Sequence, residues 1–227
     1  MTSVIVDVDD TIIDTQRRIQ AVWSHLLGGK IPLQAVQKLS TQQIFEKYAS
    51  SDQKARVNEL RKRFWDILLC SEKVGIELVK LDEPIPYAAN ALQKWSENCK
   101  VVYLTGRPET NRDLTLDQLK KFGFPTGNTQ LVMYDLEDYA RAKGASSGPT
   151  LAEARLRLLT VMSKQHKFAR VVDDYPGYFT IYRQFNIPDR IGLLRSEKFS
   201  TQDYINEGGT RVVESWKQLK DDLPRLV

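Results

Sequence analysis

The first eleven residues constrain this chain more than any other stretch. Met-Thr-Ser-Val-Ile-Val-Asp-Val-Asp-Asp-Thr runs from packed β-branched residues straight into acids. An unbroken valine and isoleucine run marks a strand buried on both faces, as in a parallel sheet. We expect that strand over residues 2–8, with Asp7, Asp9 and Asp10 at its carboxyl end. Strand residues two apart share a face, so Asp7 and Asp9 can enter one site while Asp10 turns away.

A helical block after that strand is the second constraint. Residues from about Thr15 to about Glu72 read as helices only, broken first at Gly28-Gly29 and Pro32. Ser40 or Thr41 is placed to cap a second helix and Ser51-Asp52 a third, which gathers Ala55, Leu60, Phe64, Ile67 and Leu68 on one face. Beyond the Pro-rich hinge Leu81-Asp82-Glu83-Pro84-Ile85-Pro86, strands and helices alternate. Strands are expected at 100–104, 130–134, 168–172 and 191–194. Helices are expected at 88–95, 110–122, 149–165, 176–185 and 214–222, with a loop at 138–148. A strand, a helical block and then repeated strand and helix predict an α/β fold: a Rossmann-like doubly wound parallel sheet with an inserted all-helical domain. The core would take residues 1–14 and 84–227, and the insert residues 15–83.

A chain of 227 residues has room for one ordinary domain and a small inserted one. The net charge of +4 suits an anionic substrate, although such a balance is chiefly a solvated surface. The basic run Arg61-Lys62-Arg63 reads first as an exposed helix face. Cys70 and Cys99 form no CxxC pair and lie among apolar residues, so buried reduced thiols are expected. The N-terminus enters a strand without a basic, then apolar, leader, and no apolar run approaches a membrane span. A cytoplasmic protein with no membrane partner is therefore expected; oligomeric state leaves no signal.

Three strands end in polar clusters: Asp7-Val8-Asp9-Asp10-Thr11, Thr105-Gly106-Arg107 and Asp173-Asp174. Open α/β sheets bind ligands at the carboxyl ends of their strands, so the three should converge. Carboxylates so crowded cannot all stay ionised unaided. An all-oxygen set with no His/Cys cluster beside it suits Mg²⁺ rather than zinc. His25 and His166 read as surface residues; Trp23, Phe64 and Trp65 as core of the insert; Tyr175 and Tyr178 as packing.

Together these motifs resemble the haloacid dehalogenase superfamily of aspartate-nucleophile phosphatases. Asp7-Val8-Asp9-Asp10-Thr11 resembles its first motif, DxDxT; Val101 to Thr105 its second; and Val171-Val172-Asp173-Asp174 its fourth. The insert falls where that superfamily places a C1-type helical cap. The resemblance implies a phosphomonoester hydrolase acting on a small phosphorylated substrate. Asp7 would be the nucleophile, forming an aspartyl-phosphate, and Asp9 the general acid and base. Mg²⁺ would be held by Asp7, the Asp9 carbonyl and the last pair, with Asp174 as direct ligand and Asp173 behind it. Thr105 and the Gly106 N–H would hold the phosphoryl group.

Thr105-Gly106-Arg107-Pro108 resembles a subgroup that includes polynucleotide 3′-phosphatases. Arg107 is either a phosphate clamp or an ion pair that steadies its loop. The cation of the third motif is open between Arg155, Lys164 and Lys143. A phosphomutase uses the same first motif, and the TGR sequence with the basic insert also admits a polynucleotide- or nucleotide-end phosphatase with a nucleic-acid partner.

Overall fold

Alternation of side chains along the strands organises the core into two faces. The computed structural model describes residues 2–70, 72–135 and 151–225. Its strands are β1 (Thr2–Asp7), β2 (Ile13–Asp14), β3 (Glu83–Pro84), β4 (Lys100–Pro108), β5 (Thr129–Tyr134), β6 (Lys167–Asp173), β7 (Asp189–Leu193) and β8 (Arg211–Val213). Six of them form one sheet in the order β5-β4-β1-β6-β7-β8, with every neighbouring pair parallel. The chain winds outward from β1 on one side, then returns to build the other. β1 is thus the topological switch, flanked by β4 and β6, and its carboxyl end is where such sheets bind ligands.

Chain-ordered helices are α1 (Gln16–Leu27), α2 (Leu33–Lys38), α3 (Thr41–Tyr48), α4 (Ser51–Ala55), α5 (Val57–Leu68) and α6 (Lys73–Leu78), then α7 (Ala88–Ser96), α8 (Arg112–Lys121), α9 (Leu151–Met162), α10 (Phe179–Gln184) and α11 (Thr201–Asn206). Val4, Val6, Val101 and Tyr103 pack with Leu92 and Trp95 of α7 and Leu119 of α8. The alternate residues Ile5, Val102, Leu104 and Val171 pack with Leu159 of α9 and Phe179 and Tyr182 of α10. Asp7 continues the Ile5 series and Asp173 the Val171 series, so both acids face α9 and α10.

Two compact units result: residues 1–13, 84–195 and 199–227, and residues 14–83 with 196–198. In the helical unit Trp23 stacks on Phe64 at 4.4 Å, while Trp65, expected in its core, is 37% exposed. Ser40 caps α3 in a reciprocal box with Gln43. Ser50, one residue earlier than expected, does the same with Gln53 for α4. Arg56 then leaves helical geometry, so the expected third helix is two. Arg18 and Asp82, both buried, pair at 3.0 Å, and Arg18 also donates to the Leu68 carbonyl at 2.9 Å. Residues 196–198 join this unit because the Glu197 N–H donates to the Gln37 carbonyl and its carboxylate pairs with Lys38 at 2.9 Å.

The C-terminal segment differs from expectation. Residues 214–222 form no α-helix; β8 precedes a short 3₁₀ turn at Trp216–Gln218. The apolar positions that mimic a helix face serve instead as plugs. Trp216 and Leu219 are fully buried in the α7 layer, Trp216 against Trp95 at 5.5 Å. The Trp216 indole N–H donates to the Thr11 carbonyl at 2.7 Å, which ties the C-terminal segment to the loop after β1. Replacing a buried tryptophan by alanine typically costs about 3–5 kcal/mol. Trp216→Ala is expected to lower unfolding stability by about that much and Trp216→Phe, which keeps a ring but loses the indole N–H, by clearly less; equal losses in chemical denaturation would show that burial of the ring contributes nothing.

Candidate active site

β1 ends at Asp7, which is 7% exposed. The chain then turns back at once: the Ile12 and Ile13 N–H groups both donate to the Val8 carbonyl at 3.0 Å, and Asp10 adopts φ 58°. Aspartate tolerates this left-handed geometry better than most residues. The turn sends Thr11 inward. Its hydroxyl lies 3.0 Å from Asp174 Oδ1 and 3.3 Å from Asp7 Oδ2, and accepts the Asp174 N–H at 3.1 Å. One side chain therefore couples the loop after β1 to the end of β6.

Beneath these acids lies Arg155, from the first turn or so of α9. It is buried, and its fork divides between two carboxylates. Nη2 donates to Asp7 Oδ1 at 2.7 Å and Nη1 to Asp173 Oδ2 at 2.6 Å. Nη1 also donates to the Tyr182 hydroxyl, and the guanidinium stacks 3.9 Å over the Tyr178 ring. The Tyr182 hydroxyl donates to Asp173 Oδ2 at 2.5 Å, and the Tyr175 N–H donates to Asp173 Oδ1 at 2.8 Å. Of the described candidates for the third motif's cation, Arg155 is the one that reaches Asp7. Lys164 is exposed, three residues before a strand whose Lys167 pairs with Thr2 at the amino edge of the sheet. Lys143 lies outside the described residues.

On the other flank of β1 a second cation takes Asp9. Arg107 Nε lies 3.2 and 3.0 Å from the two Asp9 oxygens, and Nη2 donates to Oδ1 at 2.7 Å. Thr105 donates to Asp9 Oδ2 at 3.3 Å, and accepts the Arg107 N–H at 3.2 Å. Arg107 is 2% exposed, so it stands as an ion-pair partner of Asp9 with its guanidinium facing that carboxylate.

Asp7, Asp173 and Asp174 each offer a carboxylate oxygen within 4.8 Å of the others. Burial, then the charge of Asp173, holds the Asp7 carboxyl well above the ordinary carboxylate range, against the pull of Arg155. Burial raises Asp173 too, opposed by Arg155, Tyr182 and the Tyr175 N–H. Asp174 is pushed well up by burial and by Asp10, Asp173 and Asp7. Asp10, expected to turn away, thus stays close enough for its charge to act on Asp174. One guanidinium does not neutralise this crowd. An all-oxygen set under mutual repulsion fits a hard divalent cation, and the Asp9 carboxylate is not among these donors.

Tyr178, read as packing, does pack here, whereas Tyr182, Gln118 and Thr115 had no assigned role in the sequence. The Tyr178 ring stacks with the Arg155 guanidinium, and the Tyr182 hydroxyl accepts from it; their spacing after the acid pair was the available signal. Burial pushes both phenols up, so they remain protonated donors. Gln118 and Thr115 of α8 bind Arg107 Nη1 at 2.7 and 3.3 Å, and nothing in their local sequence marks them. His25 is exposed, whereas His166 bridges Ser3 and Gln130 at 2.9 and 3.1 Å and belongs to the amino edge.

No known protein-family profile matches the sequence. A curated relative from Bacillus cereus, described as "Putative nucleotidase", is 25% identical over 133 residues, 58% of this chain and 64% of that protein. The chain thus aligns to less than two thirds of that relative's length. Among solved structures, a haloacid dehalogenase-like hydrolase from Streptococcus pneumoniae superposes with TM-score 0.61 and 13% identity, covering 96% of each chain. A "Putative Phosphatase" from Clostridium difficile gives TM-score 0.65 and 19% identity over 97% of each. A "putative beta-phosphoglucomutase" from Thermotoga maritima gives 0.57 and 18% over 96% of this chain and 97% of that one. The chain has the haloacid dehalogenase-like fold. In that fold's sheet, the three acid and hydroxyl clusters stand side by side at the ends of β4, β1 and β6.

Raised carboxyls give a pH signature. A group whose folded-state value lies above its unfolded value stabilises the fold below the unfolded value, and that stability is lost as pH rises through the folded one. In EDTA, the contribution of Asp7, Asp173 and Asp174 should therefore decline upward from about pH 4, the unfolded carboxylate value. Thermal unfolding across that range in EDTA should show a shallower decline for Asp174→Asn than for the parent protein. An identical pH profile for the two would show that Asp174 carries none of this repulsion.

Proposed function

We propose that this protein is a Mg²⁺-dependent phosphomonoester hydrolase that works through an aspartyl-phosphate on Asp7. The observation that carries this reading is the setting of Asp7: a buried carboxylate oriented by Arg155 at 2.7 Å, in a cluster with Asp173 and Asp174, two residues before a second acid held apart by its own cation. A carboxylate so placed, with one face toward donors and its neighbours fixed, suits attack on phosphorus.

Asp7 Oδ attacks phosphorus as the ester P–O bond breaks. Asp9 gives its proton to the departing oxygen, so an alcohol leaves. Water then attacks the phosphorus, Asp9 takes a proton from it, and the bond to Asp7 breaks to release phosphate. Thr105 and the Gly106 N–H are the donors for the transferring group. Arg155 keeps Asp7 oriented and offsets its charge throughout. Asp7, Asp174 and the Asp9 carbonyl would hold the cation, with Asp173, tied to Arg155, Tyr182 and the Tyr175 N–H, behind them. When bound, Mg²⁺ supplies charge neutralisation to the carboxylates and to the phosphoryl oxygens.

The helical unit, inserted in sequence between β2 and β3, takes the place of a C1-type cap and selects the leaving group. The curated relative's name makes a nucleotide the first small substrate to try, and 3′-phosphorylated oligonucleotides the second. Cys70 and Cys99, both buried thiols, fit a reducing cytoplasm.

The test is phosphate release from an aryl phosphate and from nucleoside monophosphates, with Mg²⁺ and with EDTA. The parent protein is expected to turn over only with the cation, and Asp7→Asn to fall to background. Appreciable release by Asp7→Asn with Mg²⁺ present would sink the covalent step. Free phosphate also separates this reading from a phosphomutase, which returns the group to its substrate.

A further inference from the structure

Asp9 is held by a chain of buried side chains that begins on a different element. Gln118 and Thr115 lie three apart on α8 and are buried. The Gln118 side-chain carbonyl accepts from Arg107 Nη1 at 2.7 Å, and the Thr115 hydroxyl lies 3.3 Å from the same nitrogen. Arg107 turns its opposite edge, Nε and Nη2, onto both oxygens of Asp9. A guanidinium is planar and rigid, so fixing one edge fixes the direction of the other. Asp9 itself follows β1 rather than lying within it, and its side chain is 30% exposed. The buried relay thus sets the direction from which the guanidinium meets this partly exposed carboxylate.

We propose that Gln118, assisted by Thr115, is a positioning residue for proton transfer by Asp9, acting through Arg107. The inference rests on the phosphatase reading. Proton transfer is sensitive to the distance between donor and leaving oxygen, and small misplacements of a catalytic group cost large factors in rate. The relay touches the acid and not the nucleophile: Asp7 and Asp173 are held separately by Arg155. Loss of Gln118 should therefore weaken the step that needs a proton and spare the attack itself.

Leaving-group dependence reads this directly. An alkyl phosphate needs a proton on its departing oxygen; 2,4-dinitrophenyl phosphate departs without one. Gln118→Met keeps the volume and deletes the acceptor, while Gln118→Glu keeps an acceptor for Arg107. In the Mg²⁺-loaded full chain, Gln118→Met is expected to lower kcat/KM for the alkyl ester roughly tenfold, with that of the activated ester changing less than about twofold, because kcat/KM ends with departure of the leaving group and leaves out the water step that both esters share. Gln118→Glu is expected to recover most of the alkyl-ester turnover, and Thr115→Val to show a smaller loss of the same pattern. Equal loss on both esters, or no loss on either, overturns the inference and leaves the phosphatase reading standing. A parent protein that releases phosphate from neither ester overturns both. If Gln118→Met fails to fold, Thr115→Val and Gln118→Glu supply the same ratio: a selective loss in the first with none in the second supports the relay, and an unchanged ratio in both overturns it.

Discussion

Arg155 makes the rest of the site tolerable. The parallel register sets Val6 beside Val172, so the next residues, Asp7 and Asp173, must come together as well. Both are buried, and a buried unpaired charge costs several kcal/mol. One guanidinium between them, at 2.7 and 2.6 Å, offsets that repulsion and orients both. Lysine could not do this in the same way. A planar fork can reach two carboxylates, accept a ring beneath it and bind a hydroxyl at once, whereas an ammonium is a compact point charge. The stack on Tyr178 and the bond to Tyr182 use those features.

The same residue type then serves in two environments. Asp7, Asp173 and Asp174 crowd together and raise one another's proton affinity, which prepares a place for a hard cation. Asp9, two residues from Asp7, lies outside that set and has an arginine of its own. Neighbouring acids thus have separate cationic partners, and the proposed mechanism uses that separation by giving them different roles. The sheet order makes the division possible. β6 lies on one side of β1 and β4 on the other, so α9 supplies the first arginine and the end of β4 the second.

Support for the site comes from distant parts of the chain. Thr11 binds Asp174, Trp216 binds the Thr11 carbonyl, and the Tyr204 hydroxyl donates to the Asp174 carbonyl at 2.5 Å. Loops that carry the acids are thereby held by the C-terminal segment and α11. These ties are buried or partly buried hydrogen bonds, and where burial is complete, as at Trp216, leaving a polar group unpaired costs more than the bond contributes.

Much of the architecture was legible in the sequence because it depends on local pattern. The β-branched runs announce β1, β4 and β6, and acids or a threonine at their ends need only the rule that parallel strands bind ligands at that edge. Capping serines and Gly28 mark ends of insert helices for equally local reasons. Short edge elements were not legible: β8 is three residues long and lacks a clear alternation, and Trp216 and Leu219 imitate a helix face while filling the core. The choice among Arg155, Lys164 and Lys143 was open for a different reason. All three carry the same charge, and only the packing of α9 against the β1–β6 face shows that Arg155 reaches Asp7 and that Lys164 lies near the opposite edge. Arg107 has protein partners that its sequence context does not mark, with Asp9 on one edge and Gln118 and Thr115 of α8 on the other. The sequence by itself determined which strands end in acids, since strand and turn chemistry is local. Tertiary structure alone decided which cation each acid meets, since those partners lie as many as 148 residues apart and are joined by register and helix packing.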